Sequence, residues 1–309
     1  MADRVGEVPG SASRSGTGVR GRPSAREIRA LISLLGDESQ RVVGMVWENL
    51  LRLGPRAMPY LAEVHEHPDP RLRFRARTIA SRIQTEQLDR RFRQLAATGD
   101  ADFDLEHALC LVAQIEYPKV DESAVAQELE ELADALRPQL AADAPARAKV
   151  GRLIEFLFHE LGFRGNRKNY YDPDNSCLHR MLELRRGSPV ALSALMILVG
   201  RRLGLPLYGV GLPKHFLVKY QDANTEIFVD PFNGGRILSR LECREILTSE
   251  GYYVRESFVT EYLAIASARD IVIRMLRSLI LIYSKLNDRT RVRRLIRYVD
   301  LLRARRRAR

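Results

Sequence analysis

The run Ser188 to Pro206, SPVALSALMILVGRRLGLP, constrains the fold more than any other segment. Apolar residues cover nearly the whole circumference of a helix here: Val190, Leu192, Leu195, Met196, Ile197, Leu198 and Val199. A helix with no polar face has to sit in the middle of a domain, with other elements packed around it. Ser188 is placed to cap its start, and Pro189 takes the first helical position, where a missing N–H is harmless. Gly204 is set to end it as a left-handed cap, with Pro206 just beyond. The apolar run Pro189 to Gly200 is too short to cross a bilayer, which takes roughly 20 residues. The expectation is therefore a core helix and no membrane association.

Short strands follow this helix. Leu207 to Val210, Phe216 to Tyr220 and Glu226 to Val229 carry strand-forming residues between turn signals. His215, Leu217 and Lys219 share one face of the second strand, and Phe228 and Asp230 one face of the third. If Gln221 pairs with Glu226, Asp230 falls opposite Leu217 and diagonal to His215, within side-chain reach. A two-residue loop pairing His215 with Asp230 keeps the same facing, whereas a one-residue slip splits the two across the sheet. Two registers thus put a carboxylate beside an imidazole, which is how a catalytic base is oriented. A satisfied structural pair is the commoner outcome for one His and one Asp on adjacent strands.

Helices occupy most of the remainder. Ser24 and Glu27 make a capping box. Asp37 and Asp69 then open matching units, each an acidic turn followed by a helix with basic residues in its first turns. Val42, Val46, Leu50 and Leu53 stripe the first helix, and Leu72, Ala76, Ile79 and Ile83 the second. The period resembles that of HEAT-type helical repeats. Residues 103–118 and 125–140 read as two amphipathic helices, and Lys149 to Leu161 as a third. Gly162 and Gly165 punctuate the loop FRGNRKNYYDP. Asn175 or Asp174 is positioned to cap a short helix through Leu184 that Gly187 ends. Two final helices, striped by Ile271, Met275, Leu279, Ile282 and Leu286 and by Val292, Leu295, Ile296, Val299 and Leu302, form a hairpin.

Composition removes several classes of function. The 309 residues are 45% hydrophobic and 29% charged, which is globular. The glycine-, serine- and arginine-rich start, residues 1–24, has no apolar segment, so it is expected to be disordered and neither signal nor anchor. Cys110, Cys177 and Cys243 are too widely spaced for a disulfide framework or a metal knuckle, which points to a reducing cytoplasm. His159-Glu160 lacks the second histidine of a zinc helix, because Phe163 stands in its place. No metal and no cofactor are expected. The net charge of +11, concentrated in arginines from Arg291 to Arg309, admits nucleic acid as a partner, without a base-stacking motif to support it.

Taken in order, LFHELGFRGNRKNYYDPDNSCLHRMLELRRGSPVALSALMILVGRRLGLP, GLPKHFLVKY and FVDPFNGG resemble the SirB-type branch of the transglutaminase-like superfamily. The resemblance runs from about Phe103 to Leu302. A related domain in some F-box proteins is similar over the core alone. It implies an α+β, mostly helical fold with a papain-like core, antiparallel strands and flanking α-helical repeats. The implied division is a disordered 1–24, HEAT-like repeats over 25–96, the transglutaminase-like domain over 103–260, a repeat-like hairpin over 268–302 and a basic tail over 303–309.

In catalytic members of the superfamily a cysteine starts the central helix, where the helix dipole favours the thiolate. Counted back from Leu203-Gly204-Leu205-Pro206, that position is Pro189, while the His and Asp positions fall on His215 and Asp230. The resemblance therefore implies an incomplete triad, and a protein or peptide bound in the old substrate cleft by Asn175, Ser188, His215 and Asp230. An enzymatic alternative is a hydrolase or amidase in which Cys177 or Ser188 acts with His215 as base; it requires one of those atoms within hydrogen-bond reach of the imidazole.

Overall fold

The computed structural model describes residues 23–249 and 260–304. The expected disordered start and basic tail therefore lie outside those residues except for 23–24 and 303–304. The chain divides into two compact units, up to Glu86 and from Gln87 onward.

The first unit is helical: α1 (Ala25–Ser33), α2 (Gln40–Leu53), α3 (Met58–Glu63) and the first half of α4 (Pro70–Ala97). The capping box at Ser24 and Glu27 is formed. The internal echo is visible in the turns. Asp37 accepts the Ser39 amide at 2.7 Å, and Asp69 accepts the Arg71 amide at 2.8 Å. Leu72, Ala76, Ile79 and Ile83 are all buried, whereas in α2 Val43 rather than Val42 is fully buried beside Val46 and Leu50. The basic residues of α4 serve the backbone. Arg75 donates to the carbonyls of Leu35 and Asp37, and Arg73 to those of His67 and Pro68.

The boundary between the two units falls inside α4. Leu88, Phe92 and Leu95 belong to the core of the second unit. A long helix gives no punctuation in sequence where it changes partners.

That second core surrounds α9 (Pro189–Arg202), every residue of which from Pro189 to Gly200 is buried. Around it lie α5 (Leu105–Ala113), α6 (Glu122–Leu136), α7 (Ala146–Ile154), α8 (Leu178–Leu184) and the C-terminal pair α11 (Ala268–Lys285) and α12 (Arg289–Ala304). The C-terminal pair packs together and contributes to this core: Ile271, Met275, Leu279, Leu295 and Tyr298 are buried in it. Leu286 and Ile296, expected in its apolar stripes, are exposed, and Tyr298 fills the inward position on α12, stacked on Phe92. The expected helix from Lys149 to Leu161 changes character midway. After Ile154 it widens into a π-turn over Glu155–Glu160 that buries Phe156, Leu157 and Phe158.

The sheet is antiparallel in the order β3 (Leu207–Leu212), β4 (His215–Gln221), β5 (Glu226–Asp230), β6 (Arg236–Leu238). Gln221 pairs with Glu226 and Val218 with Val229, the first of the two registers the sequence allows. Phe216, Val218, Tyr220, Ile227 and Val229 join the core around α9. Val210, Leu212, Leu217 and Phe228 pack instead with Cys243 and Leu247 of α10 (Arg240–Ser249). A two-residue parallel pair, β1 (Arg164–Gly165) with β2 (Arg186–Gly187), was not foreseen. No helix among the described residues is long and apolar enough to cross a membrane.

Candidate functional site

His215 opens β4 immediately after the turn Pro213-Lys214, with Lys214 in the left-handed region at φ 57°. Asp230 closes β5. The register brings them together: His215 Nε2 lies 2.9 Å from Asp230 Oδ2. Asp230 also caps the 3-10 turn Pro231–Asn233. Its Oδ1 accepts the Asn233 amide at 3.2 Å, and its Oδ2 accepts the Asn233 side-chain amide at 2.7 Å.

Burial pushes the pKa of the Asp230 carboxyl up, but the hydrogen bonds from His215 and Asn233 outweigh it and hold the group below the usual carboxylate range. An ionised carboxylate only accepts, so Nε2 of His215 carries the proton and Nδ1 of the neutral ring presents a lone pair. Such an imidazole can accept a proton from a donor that reaches it.

The candidate nucleophiles are engaged elsewhere. Ser188 caps α9, its hydroxyl accepting the Ala191 amide at 3.3 Å. Cys177 occupies the N-cap position of α8, which corrects the expectation that Asn175 or Asp174 would cap it. Its thiol is fully buried, 3.7 Å from the Pro173 carbonyl oxygen. Burial, with Asp174 adding to it, pushes the thiol well above its ordinary value, opposite to what a nucleophile requires. The hydrogen bonds of Cys177 and Ser188 do not reach the His215 ring. Nor does Gly187 end α8: Arg185 does, at φ 52°, and Gly187 is in β2.

Asn175 is buried and organises the loop before it. Its side chain donates to the carbonyls of Asn169 and Tyr170 and accepts from Asn166, while its own carbonyl accepts the Ser188 amide at 2.9 Å. It ties the 166–170 loop to the start of α9.

Several residues beside the pair escaped sequence reasoning. Phe232 meets the His215 ring edge-on, centroids 6.2 Å apart, and Tyr170 stands edge-on to Phe232 at 6.0 Å. Arg167 lies over the Phe232 ring at 5.4 Å and hydrogen-bonds Asn233. Phe232 can come this close because Gly165 lacks a side chain; a methyl group there would stand 2.5 Å from the ring. The available signal was the adjacent pair Tyr170-Tyr171 inside a turn-rich loop. Among the described residues no group of three or more His, Cys, Asp or Glu side chains could hold a metal ion.

Comparison with known proteins agrees with this architecture. A family model of the transglutaminase-like superfamily matches residues 123–277. A UPF0162 protein of Xylella fastidiosa (strain 9a5c) is 35% identical over 195 residues, 62% of this chain and 69% of the relative. The UPF0162 protein YchA of Escherichia coli (strain K12) is 29% identical over 143 residues, 43% of this chain and 52% of the relative. F-box only protein 21 of Mus musculus is 36% identical over 99 residues, 29% of this chain and 16% of the relative. No solved structure matches.

Proposed function

This chain belongs to the transglutaminase-like superfamily, and from that premise we propose that it binds a protein or peptide segment beside His215 and Asp230 rather than turning a substrate over. In this reading it is a cytoplasmic, SirB-type pseudoenzyme whose first unit is a pair of HEAT-like repeats. The observation that carries the reading is the fate of the nucleophiles. Ser188 spends its hydroxyl on the first turn of α9, Cys177 is sealed under α8, and Pro189 has no reactive group. The His–Asp pair supports an orienting role, since its carboxylate also holds the Pro231–Asn233 turn in place.

The test is a titration followed at the His215 ring by NMR, tractable because the chain has six histidines. A mixture of short random-sequence peptides is expected to move the His215 signals, assigned from His215→Asn. The same protein should hydrolyse neither peptide amides nor activated esters above the buffer rate. Turnover that disappears in a folded His215→Ala variant would overturn the proposal, as would peptides that leave the His215 signals unmoved.

A further inference from the structure

The rim beside the His–Asp pair is a contiguous strip of rings, two of which carry a cation over a face. From His215 the contacts run to Phe232 and on to Tyr170. Tyr170 then meets Tyr171, ring centroids 5.3 Å apart, and Lys285 Nζ of α11 sits 3.4 Å from the centroid of the Tyr171 ring. Tyr170 and Tyr171 are 39% and 46% exposed, high for large aromatics. Arg167, Lys168 and Lys285 are exposed, and none of the three has a carboxylate partner among the described residues. The acid in the same loop, Asp172, turns its carboxylate to the Asp174 amide.

Three unneutralised cations around exposed aromatics favour a partner that brings negative charge together with apolar side chains. Two macromolecules combine these: single-stranded nucleic acid and an acidic polypeptide. Nucleic acid binds such strips by stacking bases on open ring faces. Here Lys285 covers a face of Tyr171 and Arg167 a face of Phe232, so a face of each of these two rings is already taken by a cation. Carboxylates can bridge to those cations while aliphatic or aromatic side chains lie along the rings.

We propose that this rim recognises an extended acidic segment of a partner polypeptide, its carboxylates on Arg167, Lys168 and Lys285 and its apolar side chains against Tyr170, Tyr171 and Phe232. The assignment rests on the cleft-binding reading above and gives that site its ligand chemistry. Salt should weaken binding, because exposed ion pairs are screened.

The experiment uses the full chain and three fluorescein-labelled probes. They are a short peptide alternating Glu with Leu and Phe, its counterpart with Gln for every Glu, and an oligothymidylate. Binding is read by fluorescence anisotropy, with the His215 signals followed in parallel. The Glu peptide is expected to bind at least about fivefold more tightly than the Gln peptide and to move His215. The double variant Arg167→Ala/Lys285→Ala should lose about fivefold to tenfold of the Glu-peptide affinity, in line with two exposed charge contacts. Arg52→Ala, an exposed cation of the first unit, should change nothing. Equal binding of the two peptides with His215 shifts would refute the acidic preference and leave the cleft reading standing. Failure of both peptides to move His215 would sink both. Oligothymidylate binding as tightly as the Glu peptide, with the same loss in the double variant, would reassign the rim to nucleic acid.

Discussion

Replacing Gly235 by Ala tests how tightly the site is built. Gly234 and Gly235 both sit in the left-handed region, at φ 72° and 76°, but in different surroundings. A methyl group on Gly234 would meet nothing within 4 Å. On Gly235 it would stand 2.5 Å from Ile154 Cγ2 and 2.7 Å from Phe158 Cδ2, two buried side chains at the π-turn. Gly234→Ala therefore carries only the conformational cost, about 1 kcal/mol. Gly235→Ala adds overpacking against neighbours with no room to swing, about 1–3 kcal/mol more, for a total of about 2–4 kcal/mol. The displacement is felt at the site, because the Gly235 amide donates to the Asp230 carbonyl at 2.9 Å. Urea unfolding followed by far-UV circular dichroism would give the difference. The single tryptophan, Trp47, is in the first unit, so its fluorescence is the wrong probe for this region. If Gly235→Ala costs no more than Gly234→Ala, the close packing of the Asp230 turn on the π-turn is refuted.

Asp230→Asn should lower stability at neutral pH and change its acid limb. Because the folded carboxyl is held low, its stabilisation is fully present above the unfolded value, about 4, and is lost as pH falls through the folded value. The gap between wild type and variant should thus close below about pH 4; a gap independent of pH would refute the ionised carboxylate. Burial pushes the Cys110 and Cys243 thiols up to about 12 and Cys177 higher still. The native protein should then resist iodoacetamide near neutral pH and react fully once unfolded, and rapid labelling of native Cys177 would contradict its burial. Arg291, paired with Glu116 and Asp288, should cost about 0.5–1 kcal/mol on replacement by Ala; no change in the urea midpoint would return it to the pool of free surface charge.

How much of this was readable in sequence depended on the range of the interaction. The central helix and its Ser188 cap follow from local residues, and α9 is as expected. The His215–Asp230 contact followed from period-two alternation once the turn length was assumed, and Gln221 opposite Glu226 is one of the two registers considered. Tertiary choices were hidden. Ile296 and Tyr298 both fit an apolar stripe on α12, and only the presence of Phe92 opposite decides which goes inside. The boundary within α4 has no local sign at all. At the site, the loop around Tyr170 reads as turn chemistry, and its place beside Phe232 depends on Asn175 and on the missing side chain of Gly165.

The His–Asp pair also has a structural task of its own. Asp230 makes three hydrogen bonds, one to His215 and two to Asn233. The two to Asn233 close the turn that carries Phe232, and Arg167 is held over that ring partly by the same Asn233 side chain. A buried carboxylate with its lone pairs used in this way is strongly placed by satisfaction alone. Removing it would loosen Phe232 and Arg167 together, as well as the imidazole. The pair therefore anchors the turn that carries the aromatic rim, and the satisfaction of Asp230 accounts for its geometry. Asp230→Asn and Arg167→Ala, measured singly and together, should consequently be non-additive in peptide affinity. Additive losses would mean that the pair and the rim are independent, and the structural account of the pair would fall.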